Sequence, residues 1–90
     1  MIVQEELQKA LGQRVRSLRT KRGYSQESFA DHCGVHRTFM GTIERGETNL
    51  SLLNLARVSS ALGITLSQLL SGVEKTAKEA AKQKPVSGRP

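Results

Sequence analysis

Ser25-Gln26-Glu27-Ser28-Phe29-Ala30-Asp31-His32-Cys33-Gly34-Val35-His36-Arg37-Thr38-Phe39-Met40-Gly41-Thr42-Ile43-Glu44-Arg45-Gly46 reads as two short helices joined by a tight turn. Ser25 is a good N-cap, because a serine hydroxyl accepts from the free N–H groups of a first helical turn. Phe29, Ala30 and Cys33 then share one face. Gly34 breaks the chain, and a second helix is expected from about His36 to Arg45, stopped by Gly46. Successive residues of that second helix turn by about 100°. With Arg37 as zero, Gly41, Arg45, Thr38 and Thr42 fall at roughly 40°, 80°, 100° and 140°, whereas Ile43 and Met40 fall at roughly 240° and 300°. One face therefore carries Arg37, Gly41, Arg45, Thr38 and Thr42, and the opposite face is apolar. A short helix, polar outside and packed on a partner across a glycine turn, describes a helix-turn-helix whose outer face suits a major groove. Gly41 costs a helix interior about 1 kcal/mol, which implies a close approach there.

On the N-terminal side, Leu7, Leu11, Val15 and Leu18 recur at helical spacing up to Gly23, giving an amphipathic first helix. On the C-terminal side a polar loop, Glu47-Thr48-Asn49-Leu50, leads to Ser51, which caps a fourth helix. In that helix Leu52, Leu55, Ala56, Ser59 and Leu62 form the stripe expected to be buried, ending at Gly63. Thr65-Leu66-Ser67-Gln68 fits a capping box and opens a short fifth helix with Leu66, Leu69 and Leu70. No stretch alternates convincingly enough for a strand. After Gly72 the residues are good helix formers with almost nothing apolar to bury, so 73–90 is expected to be a basic tail, helical at first and disordered from Lys84 to Pro90. The fold class is all-α, a five-helix domain over 1–72 with a helical C-terminal extension.

Ninety residues make one modest core, and with Tyr24, Phe29 and Phe39 as the whole aromatic content that core must be aliphatic. The net charge of +6 is uneven. Residues 9–45 carry +5 and residues 74–90 carry +3, while the first eight are acidic and the stretch between is neutral. A basic half joined to a neutral one is the footprint of polyanion binding, though by itself it equally describes a solvated surface. Neither a signal peptide nor a membrane span is expected, and the natural compartment is the cytoplasm. Cys33 is the lone cysteine, so no internal disulfide forms. His32, Cys33 and His36 fall short of the four ligands of a closed zinc site, and Cys33 is expected to pack as a small hydrophobe; no metal or other cofactor is expected. No base–nucleophile–orienter set suggests an enzyme.

Residues 14–70 resemble the Cro/phage-repressor helix-turn-helix family, also called xenobiotic-response-element-like. The resemblance is carried by Ser25-Gln26-Glu27-Ser28-Phe29-Ala30, Gly34-Val35, Ile43-Glu44-Arg45-Gly46, Ala61-Leu62-Gly63-Ile64 and Leu69-Leu70. The segment His36-Arg37-Thr38-Phe39-Met40 is similar to that of controller proteins of restriction–modification systems. The resemblance implies a transcriptional regulator that binds double-stranded DNA as a homodimer on a palindromic operator. It further implies that Gln26 touches phosphate, that Ser25 caps, touches phosphate or does both, and that Arg37, Thr38 and Thr42 read base edges. Thr48 and Asn49 fall where the family grips the backbone, and Arg45 completes the basic face. Arg19 and Glu44 match a pair that joins the first helix to the recognition helix, and a structural ion pair is the preferred reading. Leu66, Leu69 and Leu70 are the expected dimer interface. Departures are Gly41 where the family commonly has Ser, Leu50 where it commonly has Pro, and His36 at a cap position that usually holds a small hydroxyl or Asp. At that position His36 either faces phosphate or caps poorly. The alternative function is an antitoxin-type regulator whose tail, 73–90, binds a partner protein.

Overall fold

The computed structural model describes residues 3–83, and among them the secondary structure is helical throughout: α1 (Gln4–Lys21), α2 (Gln26–Cys33), α3 (Arg37–Glu44), α4 (Leu52–Ala61), α5 (Leu66–Leu69) and α6 (Val73–Gln83). Local chemistry sets the starts. Ser25, Ser51 and Thr65 each accept a hydrogen bond from the backbone N–H three residues on, and at α2 and α5 the bond is returned by the side chains of Ser28 and Gln68. In α1, Glu5 and Glu6 lie in the first turn and Arg19 and Lys21 in the last, which matches charge to the ends of the helix dipole.

The larger core cluster joins Val15 and Leu18 of α1, Phe29, Ala30 and Cys33 of α2, Met40 and Ile43 of α3, Val58 and Leu62 around α4, and Leu69 of α5. Phe29 is its only fully buried aromatic ring, in tilted contact with Tyr24 at 5.4 Å between centroids. The stripe expected on α4 is shifted in the fold. Leu52 is 71% exposed, Leu55 and Ala56 are half-buried, and Val58 takes the innermost place beside Ser59 and Leu62. Leu52 sits in the first turn of α4 and stays in solvent, so its apolar character does not bring burial.

Two close approaches set how α1 lies on α3. A β-carbon built on Gly12 would stand 2.5 Å from the carbonyl oxygen of Ile43 and 2.6 Å from that of Glu44. Those are backbone atoms and cannot swing aside. One turn earlier in α1, Lys9 meets Gly46, whose φ is +72° and whose own β-carbon would fall 2.6 Å from the Lys9 Cα. A residue with a side chain would be strained by that φ and blocked by that contact. The two glycines thus bring α1 directly onto the C-terminal end of α3.

The segment after Gly72 is better ordered than its composition implies. Val73 and Ala77, one turn apart, are buried on Ala10 of α1. Small side chains let two helix backbones come close, and burying Val73 alone is worth about 1.5 kcal/mol or more. The segment from Val73 to Gln83 is therefore the helical extension expected there, a sixth helix whose apolar side is packed on α1. The expectation for Lys84 to Pro90 lies outside the described residues. Arg14 is committed to structure as well: its Nε donates to the carbonyl of Leu69 at 3.2 Å and its Nη2 to that of Gln68 at 2.9 Å, capping the end of α5.

Candidate nucleic-acid interface

The site is built on α2, α3 and the loop that follows. Beneath it lies a buried hydrogen-bonded network. Arg19 Nε and Nη2 donate to the two carboxylate oxygens of Glu44 at 2.7 and 3.0 Å, with the side chains only 11% and 3% exposed. Arg19 Nη1 also donates to the carbonyl of Tyr24 at 2.9 Å, in the turn between α1 and α2. Gln26 Nε2 donates to Glu44 Oε1 at 3.2 Å. One bidentate pair therefore ties α1, the turn, the first residue of α2 and the last residue of α3 together. It leaves the Gln26 carbonyl and its second N–H for a ligand. Gln26 is exposed and stands at the N-terminus of α2, where unpaired backbone N–H groups favour an anion.

On α3, Met40 and Ile43 are buried and Glu44 is drawn inward by Arg19. Arg37, Thr38 and Arg45 are exposed, and Thr42 is half-buried. Gly41 departs from its expected place on an open face: it is buried, because Arg45 folds back over it. A β-carbon there would come 3.0 Å from Arg45 Nη1 and 3.6 Å from Gln26 Oε1. The glycine gives the guanidinium room to lie along the helix, which is the close approach that its helical cost implied. The Thr42 hydroxyl donates to the Phe39 carbonyl at 2.7 Å, so towards a base it offers a lone pair and a methyl group. Thr38 points out, and its backbone N–H is bonded at 3.0 Å by His36 Nδ1. His36 thus does cap α3, and acceptance at Nδ1 leaves the ring proton on Nε2, turned outward as a donor. Ser25 is engaged in its capping box with Ser28 and remains exposed.

In the loop, Asn49 is exposed and Thr48 half-buried. Leu50, standing where a proline is usual, packs against the core, so an apolar contact anchors the loop where ring rigidity would otherwise do so. The basic side chains nearest the face are not idle: Arg37 Nη1 lies 3.5 Å from Glu27 Oε2, and Arg45 Nε lies 3.0 Å from Glu47 Oε1. Charge counting along the chain did not reveal these partners. It also missed Gly12, although a glycine inside an otherwise regular amphipathic helix was a signal that something approaches closely.

The other predicted positions separate. Leu69 has no exposed surface and belongs to the monomer core, whereas Leu70 is 41% exposed and Leu66 half-buried. Leu69 is thus corrected from interface to core, and Leu66 and Leu70, one turn apart, remain at the surface. Leu70 lines a groove of about 350 Å³ with Leu7, Leu11, Leu50, Leu55 and others. Cys33 is buried, and burial pushes its thiol up to about 11, which suppresses the reactive thiolate near neutral pH. Among the described residues, no three His, Cys, Asp or Glu side chains gather where they could hold a metal. No helix of the described residues is long and apolar enough to cross a membrane.

The sequence model of the helix-turn-helix family matches residues 15–69, the span from the middle of α1 to the end of α5. The chain belongs to the Cro/repressor-type helix-turn-helix family. Control protein C.MunI of a Mycoplasma species is 48% identical over 65 residues, covering 71% of this chain and 88% of that protein. The crystal structure of the restriction–modification controller protein C.AhdI from Aeromonas hydrophila superposes with a TM-score of 0.66 at 43% identity, covering 68% of this chain and 92% of that one. The biofilm regulator SinR, solved in complex with DNA, superposes with a TM-score of 0.63 at 36% identity, covering 67% of this chain and 97% of that one. Members of this family so similar to the chain are DNA-binding regulators, and the helix-turn-helix they share with it is the α2–α3 pair described above. Helix α6 begins after the last residue of the family match.

Proposed function

We propose that this protein is a sequence-specific transcriptional regulator that binds double-stranded DNA as a homodimer on a two-fold-related operator, in the manner of a restriction–modification controller. The observation that carries the reading is the braced pair of α2 and α3. The Arg19–Glu44 pair orients Gln26 at an anion-favouring helix end, and beside it α3 presents Arg37, Thr38 and Thr42. Phosphate contacts from Gln26, Ser25, Thr48, Asn49 and the outward Nε2 of His36 fix register on the duplex, and contacts from α3 supply the choice of sequence. The protein acts in the cytoplasm and serves binding alone, without catalysis or cofactor. The antitoxin alternative has less support, because the apolar side of the segment after Gly72, Val73 and Ala77, is already buried on α1.

Arg37 stands at the N-terminal end of α3, where this docking mode reaches base edges, and its guanidinium fits O6 and N7 of guanine. Arg37→Ala is expected to weaken operator binding by about 1–3 kcal/mol and to relax preference at one guanine per half-site. Gln26→Ala is expected to weaken binding to all sequences alike. Titrations of both variants against the operator and its single-base variants, at fixed salt, decide the matter. Uniform loss with unchanged base preference for Arg37→Ala would make Arg37 a backbone clamp and move base reading to Thr38, Thr42 or DNA shape.

Dimerisation would set two copies of α3 about 34 Å apart, one turn of DNA. Leu66 of α5 and Leu70 at its C-cap are the apolar side chains there that keep exposed surface for that contact. A charge at the more exposed of them, Leu70→Glu, is expected to give a monomer in sedimentation while helix content and melting stay near wild type. A dimer that persists moves the interface to another exposed pair, Leu52 and Leu53.

A further inference from the structure

Both arginines on the α3 face already hold a carboxylate. Arg37 reaches Glu27 across the turn, and Arg45, from the C-cap of α3, reaches Glu47 in the loop, at 3.5 and 3.0 Å. All four side chains are more than half exposed, between 56% and 73%. Exposure decides what such pairs can do. A solvated ion pair is weak, worth at most about a fivefold bias in a side chain's placement. A single phosphate contact in water is a competitor of similar strength. A bidentate contact to a guanine edge, worth roughly five- to a hundredfold, is stronger than either.

We propose that Glu27 and Glu47 are specificity-determining residues that keep Arg37 and Arg45 off DNA phosphates on non-operator sequence and release them to base edges on the operator. The inference rests on the reading above, that the α3 face docks on DNA. On non-operator DNA each arginine is shared between its glutamate and the phosphates, so it neutralises phosphate only part of the time and adds less to affinity than a free arginine would. On the operator the base contact outcompetes the glutamate. The gap between specific and non-specific binding widens without a new contact to DNA, since the glutamates act only by giving the arginines an alternative partner.

Salt dependence reads this directly, because each phosphate neutralised adds about 0.9 to the slope of log affinity against log salt. Glu27→Gln and Glu47→Gln are near-isosteric changes at exposed positions, and their melting temperatures serve as the check on folding. On a duplex without the operator, each is expected to raise affinity about two- to fivefold and to steepen the salt slope measurably, by up to about 0.9. Operator affinity should change less, so the specificity ratio falls. In an Arg37→Ala background, Glu27→Gln should lose its effect on the slope, and Glu47→Gln should lose it in an Arg45→Ala background. Unchanged slopes in the single variants overturn the proposal. The same increase with the arginine removed also overturns it, showing simple loss of repulsion between a carboxylate and DNA. The arginine variants alone report on the underlying reading: if neither alters operator binding, the face does not dock, whatever the glutamates do.

Discussion

Gly12→Ala is expected to lower the melting temperature by roughly 10–20 °C. The added methyl would stand 2.5 Å from the Ile43 carbonyl oxygen and 2.6 Å from that of Glu44. Both belong to the last turn of α3, so relief requires α1 and α3 to part. Overpacking of this kind costs about 1–3 kcal/mol, more where only backbone can yield. Alanine returns at most about 1 kcal/mol of helix propensity, and that does not offset a backbone clash. A net loss of about 2–3 kcal/mol corresponds to such a melting shift in a domain of this size. Operator binding should fall further than stability alone explains, because parting α1 from α3 also strains the Arg19–Glu44 bridge between them. Thermal unfolding and operator titration of the same variant test this. A melting temperature within a degree or two of wild type would mean that the helices are free to separate and that the close approach is not needed.

Breaking the Arg19–Glu44 pair is expected to cost about 3–5 kcal/mol, because removal of one partner strands the other charge out of water. With both side chains nearly enclosed, screening by solvent gives little relief. Such a loss is a large part of the 5–15 kcal/mol that typically holds a domain folded. Arg19→Met should therefore unfold at much lower denaturant than wild type. Arg19→Met combined with Glu44→Leu should recover most of the loss, since the stranded carboxylate is gone and an apolar pair of similar volume fills the space. DNA binding separates structure from function here. The double variant should stay weak on all sequences even when folded, because Gln26 has lost the carboxylate that orients it. A double-mutant cycle in denaturant unfolding gives the coupling directly. A coupling energy near zero would falsify the structural role and release Arg19 to contact phosphate.

Much of this fold lies within reach of local chemistry. A cap needs only a hydroxyl followed three residues on by a free N–H, so Ser25, Ser51 and Thr65 mark helix starts without knowledge of the rest of the chain. The inward side of α3 is equally local, since the positions of Met40 and Ile43 follow from 3.6 residues per turn. The Arg19–Glu44 pairing, suggested by family likeness, could not have come from spacing, because 25 residues separate the partners and only the packing of α1 on α3 brings them together.

What the sequence determined by itself was therefore the set of helices α1 to α5, the caps of α2, α4 and α5 and the apolar side of α3, because those depend on hydrogen bonds and periodicity over a few residues. Tertiary structure decided which of two adjacent leucines is buried. Leu69 and Leu70 differ by 100° around α5, both are apolar, and only the position of the core selects Leu69. Tertiary structure also left Leu52 in water, covered Gly41 with Arg45, and docked α6 through Val73 and Ala77 on Ala10. Each of these outcomes depends on the distance between helices far apart in the chain. That distance is set by the smallest side chains at the crossing, as at Gly12, where the absence of a single carbon brings α3 against α1.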